Sequence, residues 1–306
     1  MPVATHATDV LVLGAGMSGL SAAARLAQAR CRVLVLEARD RVGGRVLTRR
    51  GGPWPVPMDL GAEFIQGRIP ALFALANRAG LPVVEIGGSR WQSHAGKLTP
   101  STDFLSDAER VLSRLSDAAS EKDQSLEQFL ADNREERVVA ESGSIARAWV
   151  ESYDAADTRR VSVRFLVRER QAESKIDGDR AFRVVTGYDG IPLALKQGIP
   201  PDRGQIHLET IVSEVHWRPG EVAVDTNNGS FSARRLVLAL PVGVLQAQPG
   251  EAGAVRFDPP LPQKERALHG LEMGHVVKLI LGFKERFWEA AFGDDDELGF
   301  VVTSDE

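Results

Sequence analysis

The chain has 306 residues, enough for about two domains and a sizeable core. Its 29 glycines and 16 prolines stay well below the roughly 25–30% that marks low-complexity disorder. A net charge of −5 argues against a generally basic nucleic-acid binder, and the single cysteine, Cys31, excludes an intramolecular disulfide framework and a cysteine-cluster metal site.

After an eight-residue tail, DVLVLGAG is a continuous apolar run ending in glycines, the pattern of a buried parallel strand. Leu20, Ala23, Ala24 and Leu26 then recur at helical spacing between Met17 and Arg30, and RVLVLE over 32–37 reads as a second buried strand. Together they predict a right-handed βαβ unit. Residues 38–67 are rich in Gly and Pro and read as loops around short strands, followed by a short helix from Pro70 to Gly80. Helices are predicted over Asp103–Ser116, Ser125–Ala131, Ser144–Tyr153 and Ser162–Glu173. Strand signals return with FRVV at 182, IHLETIVSEVHW at 206, EVAVDT at 221 and RRLVLALP at 234. A helix near 262–271 precedes HVVKLILGF, residues 275–283, an apolar strand. The longest uncharged runs, 15 residues each, are broken by Gly or Pro and are too short to span a membrane. The lone cysteine fits a reducing, cytoplasmic compartment.

The strongest local signal is Gly14-Ala15-Gly16-Met17-Ser18-Gly19 between the first strand and helix, with Glu37 ending the next strand. Gly14 permits the tight turn, Gly16 lets a pyrophosphate approach the backbone, and Gly19 allows helix and sheet to pack closely. The helix N-terminus offers unpaired N–H donors to phosphate, with Ser18 in its first turn. Glu37 is placed to accept hydrogen bonds from ribose hydroxyls, and its charge disfavours a 2′-phosphate. The six histidines contain no pair at the i, i+4 spacing of a helical metal site, so no metal is expected.

Just downstream, Glu37-Ala38-Arg39-Asp40-Arg41-Val42-Gly43-Gly44-Arg45 resembles the extended fingerprint of FAD-binding oxidoreductases. Asp59-Leu60-Gly61-Ala62-Glu63-Phe64-Ile65-Gln66-Gly67 and Gly274-His275-Val276-Val277-Lys278-Leu279-Ile280-Leu281-Gly282-Phe283 extend that to a resemblance with the flavin amine oxidase family. The weaker matches Gly187-Tyr188, Val212 and Ala239-Leu240-Pro241 fall in register with them.

The resemblance implies an α/β fold: a Rossmann-like FAD-binding domain of the glutathione-reductase type, from residues 1–88 and 181–262, with a mixed helical and sheet substrate domain from 89–180 and 263–306. FAD is the implied cofactor, held by Gly14, Gly16, Ser18, Gly19, Glu37, Arg39, Gly44 and Arg45. Gly61, Ala62, Glu63 and Phe64 would line the flavin, Val212 would meet the adenine, and Lys278 would be catalytic through a water at flavin N5. The implied reaction oxidises a small-molecule amine to an imine, with oxygen as acceptor and hydrogen peroxide as product. An amino-acid oxidase on the same scaffold is the alternative enzyme. Gln66 stands where polyamine-oxidising members often place Glu or His, so this position supplies no charge to a cationic amine. Family sequences continue to a second FAD motif and substrate-enclosing aromatic residues, so a truncated, inactive flavin-binding fragment is a further alternative.

Overall fold

The computed structural model describes residues 8–52, 54–94, 97–100, 104–118, 123–289 and 298–303. In chain order the elements begin with β1 (Val10–Leu13), α1 (Met17–Gln28), β2 (Val33–Leu36), β3 (Thr48–Arg49), β4 (Met58–Asp59), β5 (Phe64–Gln66), α2 (Pro70–Arg78) and β6 (Val83–Glu85). The middle carries β7 (Ser89–His94), β8 (Lys97–Pro100), α3 (Phe104–Leu112), α4 (Leu115–Ala118), α5 (Leu126–Asp132), α6 (Arg137–Tyr153) and α7 (Val163–Glu173). Then come β9 (Ala181–Val184), α8 (Gly190–Gln197), β10 (Gly204–His207), β11 (Val212–Arg218), β12 (Glu221–Thr226) and β13 (Gly229–Ala233). The last are β14 (Arg235–Leu238), α9 (Val242–Leu245), β15 (Arg256–Asp258), α10 (Pro262–Leu268) and β16 (Leu298–Thr303).

Two compact units form, each from several stretches of chain. The first takes residues 1–64, 70–83 and 184–273. Its centre is a four-stranded parallel sheet in the order β10-β2-β1-β14, with Val10 registered against both Val33 and Arg235. Side chains alternate across this sheet, as the two-residue period of a strand requires. Val10 and Val12 turn to one face and pack with Leu20, Ala23 and Ala27 of α1, whereas Leu11 and Leu13 turn to the other. There they meet Val215, Val222 and Val224 of a second sheet, ordered β13-β12-β11-β15. A strand covered on both faces has no place for polar residues, which is why VLVL is apolar throughout. The architecture is Rossmann-like α/β.

The second unit takes residues 65–69, 84–183 and 274–306. Its helices α3 to α7 share one core, with Val111, Leu115, Leu126, Ala146, Val150 and Val163 fully enclosed. Ser125 and Ser162 cap α5 and α7, their hydroxyls accepting the Gln128 and Phe165 N–H groups. Arg147 of α6 donates twice to the Glu127 carboxylate of α5, at 2.9 and 2.8 Å. A sheet ordered β16-β7-β8 completes the unit. No helix among the described residues is long and apolar enough to cross a membrane.

Three expectations need correction. The run over 206–217 is two strands, because Glu209 at φ +51° turns the chain out of the parallel sheet into the other one. The helix expected from Ser144 begins at Arg137; Gly143 sits against Leu130 and Val139, so packing outweighs its poor propensity. The apolar run at 275–283 forms no strand: its backbone is irregular and pairs with no strand among the described residues. A strand without a ladder leaves its backbone polar groups to water, and period-2 apolarity alone supplies no hydrogen-bond partner.

Candidate functional site

The glycine turn joins β1 to α1. Gly14 has φ +98°, and a Cβ there would lie 2.7 Å from the Ala239 carbonyl oxygen. A Cβ on Gly19 would overlap the Gly14 carbonyl, so helix and strand approach as only glycine allows. Gly16 caps α1 with its backbone alone, and the first helical turn carries no acidic residue. The N–H groups of that turn therefore face outward beside an exposed Ser18, with the positive end of the helix dipole behind them.

Glu37 is 7% exposed and anchors this turn. Its Oε2 accepts the Ala15 N–H at 2.6 Å and its Oε1 accepts the Arg39 N–H at 3.0 Å. Carboxylates in charge-assisted bonds of this kind fix a backbone more firmly than neutral acceptors do. Its backbone carbonyl accepts the Thr210 N–H at 2.9 Å, which brings the chain leading into Val212 beside it. Val212 itself is 8% exposed and packs with Leu11, Leu13, Leu34 and Leu36.

The second glycine pair closes onto the first turn. Gly43 forms a parallel bridge with Gly16, and its N–H donates to the Ala15 carbonyl at 2.8 Å. A Cβ on Gly44, at φ +61°, would stand 3.1 Å from the Gly16 Cα. The Gly44 carbonyl accepts both the Arg39 Nη1 at 2.9 Å and the Arg41 Nη2 at 3.0 Å, and Arg41 also donates to the Val46 carbonyl at 2.9 Å. Arg41 was not among the expected site residues, although it sits inside the motif that named its neighbours. The exposed Arg45 contributes its carbonyl, which accepts the Ala62 N–H at 3.2 Å and which a Cβ on Gly61 would overlap. Glu63 and Phe64 follow, each half-buried. Thus Gly14, Gly16, Ser18, Gly19, Glu37, Arg39, Gly44, Arg45, Gly61 and Ala62 form one continuous run of contacts within the first unit.

Lys278 belongs to the second unit and is exposed in the irregular run described above. The strand expected to carry it is not formed. Gln66, on β5, is likewise exposed.

The structure also gathers titratable groups that sequence spacing hides. Glu214, His216 and Asp258 bring donor atoms within 4.8 Å of one another, the one such cluster of metal-ligand type among the described residues. They come from β11 and β15, so no local motif announces them. The His216 Nε2 lies 3.1 Å from an Asp225 carboxylate oxygen, and its Nδ1 lies 3.5 Å from Asp258. Hydrogen bonding to Asp225, with Glu214 and Asp258 adding to it, raises the His216 pKa. Arg256 ion-pairs Glu214, so protein cations already balance much of the acidic charge. The acidic run Asp294–Glu297 lies outside the described residues.

Comparison with known proteins agrees with this geometry. The model of the family described as flavin containing amine oxidoreductase matches residues 17–300. Polyamine oxidase 2 of Arabidopsis thaliana is 30% identical over 93% of this chain and 60% of its own length. Lysine-specific histone demethylase 2 of Homo sapiens is 28% identical over 99% of this chain and 38% of its own. Cyclohexylamine oxidase from Brevibacterium oxydans IH-35A, a solved structure, superposes with a TM-score of 0.69 at 25% identity, over 86% of this chain and 63% of that one. The chain therefore spans less than two thirds of the length of each of these relatives. With the family model covering nearly all of it, the chain belongs to the flavin containing amine oxidoreductase family.

Proposed function

We propose that the first unit binds FAD and that the protein takes part in oxidising a small-molecule amine to an imine. The observation that carries this reading is the glycine turn anchored by Glu37, with Gly44 packed on Gly16 beside the open N-terminus of α1. The residues present fit the cofactor: at Gly16 a Cβ would meet nothing closer than the Gly44 Cα at 3.9 Å, so the cradle is open where a phosphate would lie.

In this reading the α1 N–H groups and Ser18 hold the pyrophosphate, and the spare lone pairs of Glu37 accept the ribose hydroxyls. Arg39 and Arg41 keep the Gly43–Gly44 loop in place, and Arg45 adds positive charge beside it. Gly61, Ala62, Glu63 and Phe64 line the ring, and Val212 backs the adenine. When bound, the flavin would supply the redox chemistry: a hydride equivalent leaves the amine α-carbon and a proton the amine nitrogen, and oxygen takes the two electrons and two protons as hydrogen peroxide. The chain's own task is binding, orientation and exclusion of water.

FAD titration of the purified chain, followed by flavin fluorescence, tests the first half; peroxide release across a panel of primary, secondary and cyclic amines and amino acids tests the second. Saturating FAD that leaves the protein colourless after gel filtration overturns the cofactor assignment. A second reading, flavin binding without turnover by this chain alone, is favoured by the exposure of Lys278. Flavin uptake without peroxide from any amine would select it.

A further inference from the structure

Asp59 opens the Asp-Leu-Gly-Ala segment and is 2% exposed. A carboxylate so enclosed is costly unless its oxygens find donors. One oxygen, Oδ1, accepts twice, from the Thr48 hydroxyl at 2.5 Å and from the Tyr188 N–H at 3.0 Å. The Thr48 hydroxyl accepts the Asp189 N–H at 3.1 Å in turn. Arg50 grips the Asp189 carboxylate at 2.7 and 2.6 Å and donates to the Thr186 carbonyl at 2.6 Å. Thr48 and Asp59 are register partners across β3 and β4, whereas Tyr188 lies 129 positions away in sequence. Between them Gly187, at φ +102°, leaves no room for a side chain: a Cβ would stand 2.7 Å from both Arg50 and Thr48.

We propose that Asp59 is a positioning residue. Through Oδ1 it fixes segment 59–64 against the 186–189 turn, and so sets the surface that this segment presents to the flavin ring. The proposal rests on the flavin reading above. Its physical content is one acceptor atom shared by two chain segments. Two residues on, Gly61 already sits against the Arg45 carbonyl, so a displacement at Asp59 has no slack to absorb it before reaching Ala62. Both bonds fall on the same oxygen, which separates geometry from charge. Asn offers that oxygen without the charge, and Leu offers neither.

FAD titration and visible spectra of the wild-type chain, Asp59→Asn, Asp59→Leu and Thr48→Val test it, alongside thermal unfolding without FAD. Asp59→Asn should bind FAD within about threefold of wild type. Asp59→Leu should bind at least about tenfold more weakly, the scale of one lost bond to a charged acceptor, and with a changed flavin band shape. Thr48→Val keeps the side-chain volume and removes one of the two donors to Oδ1 together with the acceptor of the Asp189 N–H, so it should weaken binding and shift the flavin band in the same direction even if Asp59→Leu fails to fold. Unchanged affinity and spectrum in Asp59→Leu and Thr48→Val, with only a lower melting temperature, would show a purely structural role and overturn the proposal. So would an Asp59→Asn chain as impaired as Asp59→Leu. A wild-type chain that takes up no FAD overturns the cofactor reading and this role with it; one that binds FAD no better than Asp59→Leu overturns this role alone.

Discussion

Glu37 holds two backbone N–H groups of the nucleotide-type turn while staying almost wholly enclosed. Its replacement by Ala should weaken FAD binding by about 1.5–3 kcal/mol, the range for bonds to charged acceptors, because both the turn and the ribose lose a partner. Isothermal titration reads this directly, and unchanged affinity would remove Glu37 from the site. The position of this acid was legible from the strand-helix-strand pattern, but its bond to Ala15 was not, since spacing says nothing about where a carboxylate points. A second residue, Asp154, has no motif at all. Burial, reinforced by Glu169 and Glu173 and opposed by Arg170, pushes its pKa from an ordinary 3.8 up to about 7. The folded chain thus keeps a proton that the unfolded chain releases, so this contribution to stability is complete below about pH 4 and is lost as pH rises through about 7. Glu169 and Glu173 are raised in the same direction by burial. The second unit should therefore melt at a lower temperature at pH 8 than at pH 5, and Asp154→Asn should flatten that dependence; an equally steep profile in the variant would assign it to other groups.

At the scale of elements, helices announced themselves by caps and periodicity, and strands by apolar runs, as far as local forces decide. Ser162 illustrates the part that local chemistry controls: its hydroxyl accepts the Phe165 N–H and donates to Asp123. Ser162→Ala should cost about 1 kcal/mol of stability in urea unfolding, the usual price of a lost cap. Leu126, completely enclosed in the core of the same unit, should cost about 2–5 kcal/mol as Ala, with the midpoint shifted and the unit still helical by circular dichroism. The break between β10 and β11 belongs to the part that tertiary packing controls. Apolar residues continue straight through it, and only the two sheets, one parallel and one largely antiparallel, require the turn at Glu209. The pair β3 and β4 was legible only as unplaced short strands among the 38–67 loops, because Gly and Pro dominate the composition around it and its hydrogen-bond partners in the 186–189 turn are distant in sequence.

For the whole molecule, the run from Val276 to Leu281 is the feature least like a finished fold. Val276, Val277, Leu279 and Leu281 are 78%, 85%, 80% and 72% exposed, a contiguous apolar patch of the kind that promotes association. Sedimentation velocity should show concentration-dependent self-association that the double variant Val277→Lys, Leu281→Lys reduces; identical profiles would clear this segment. The sequence pointed to a strand there because apolarity is local, while the ladder a strand needs is supplied from elsewhere. The parallel sheet shows the same dependence on distant chain, because β1 sits between β2, its near neighbour in sequence, and β14, which pairs Val10 with Arg235. During synthesis at about 5–20 residues per second, the completed β1-α1-β2 unit waits roughly 10–40 s for β14 to be made. Both margins of that nascent apolar ribbon stand bare until β10 covers β2, and the β1 margin stays bare until β14 arrives, which leaves the growing chain open to chaperone capture.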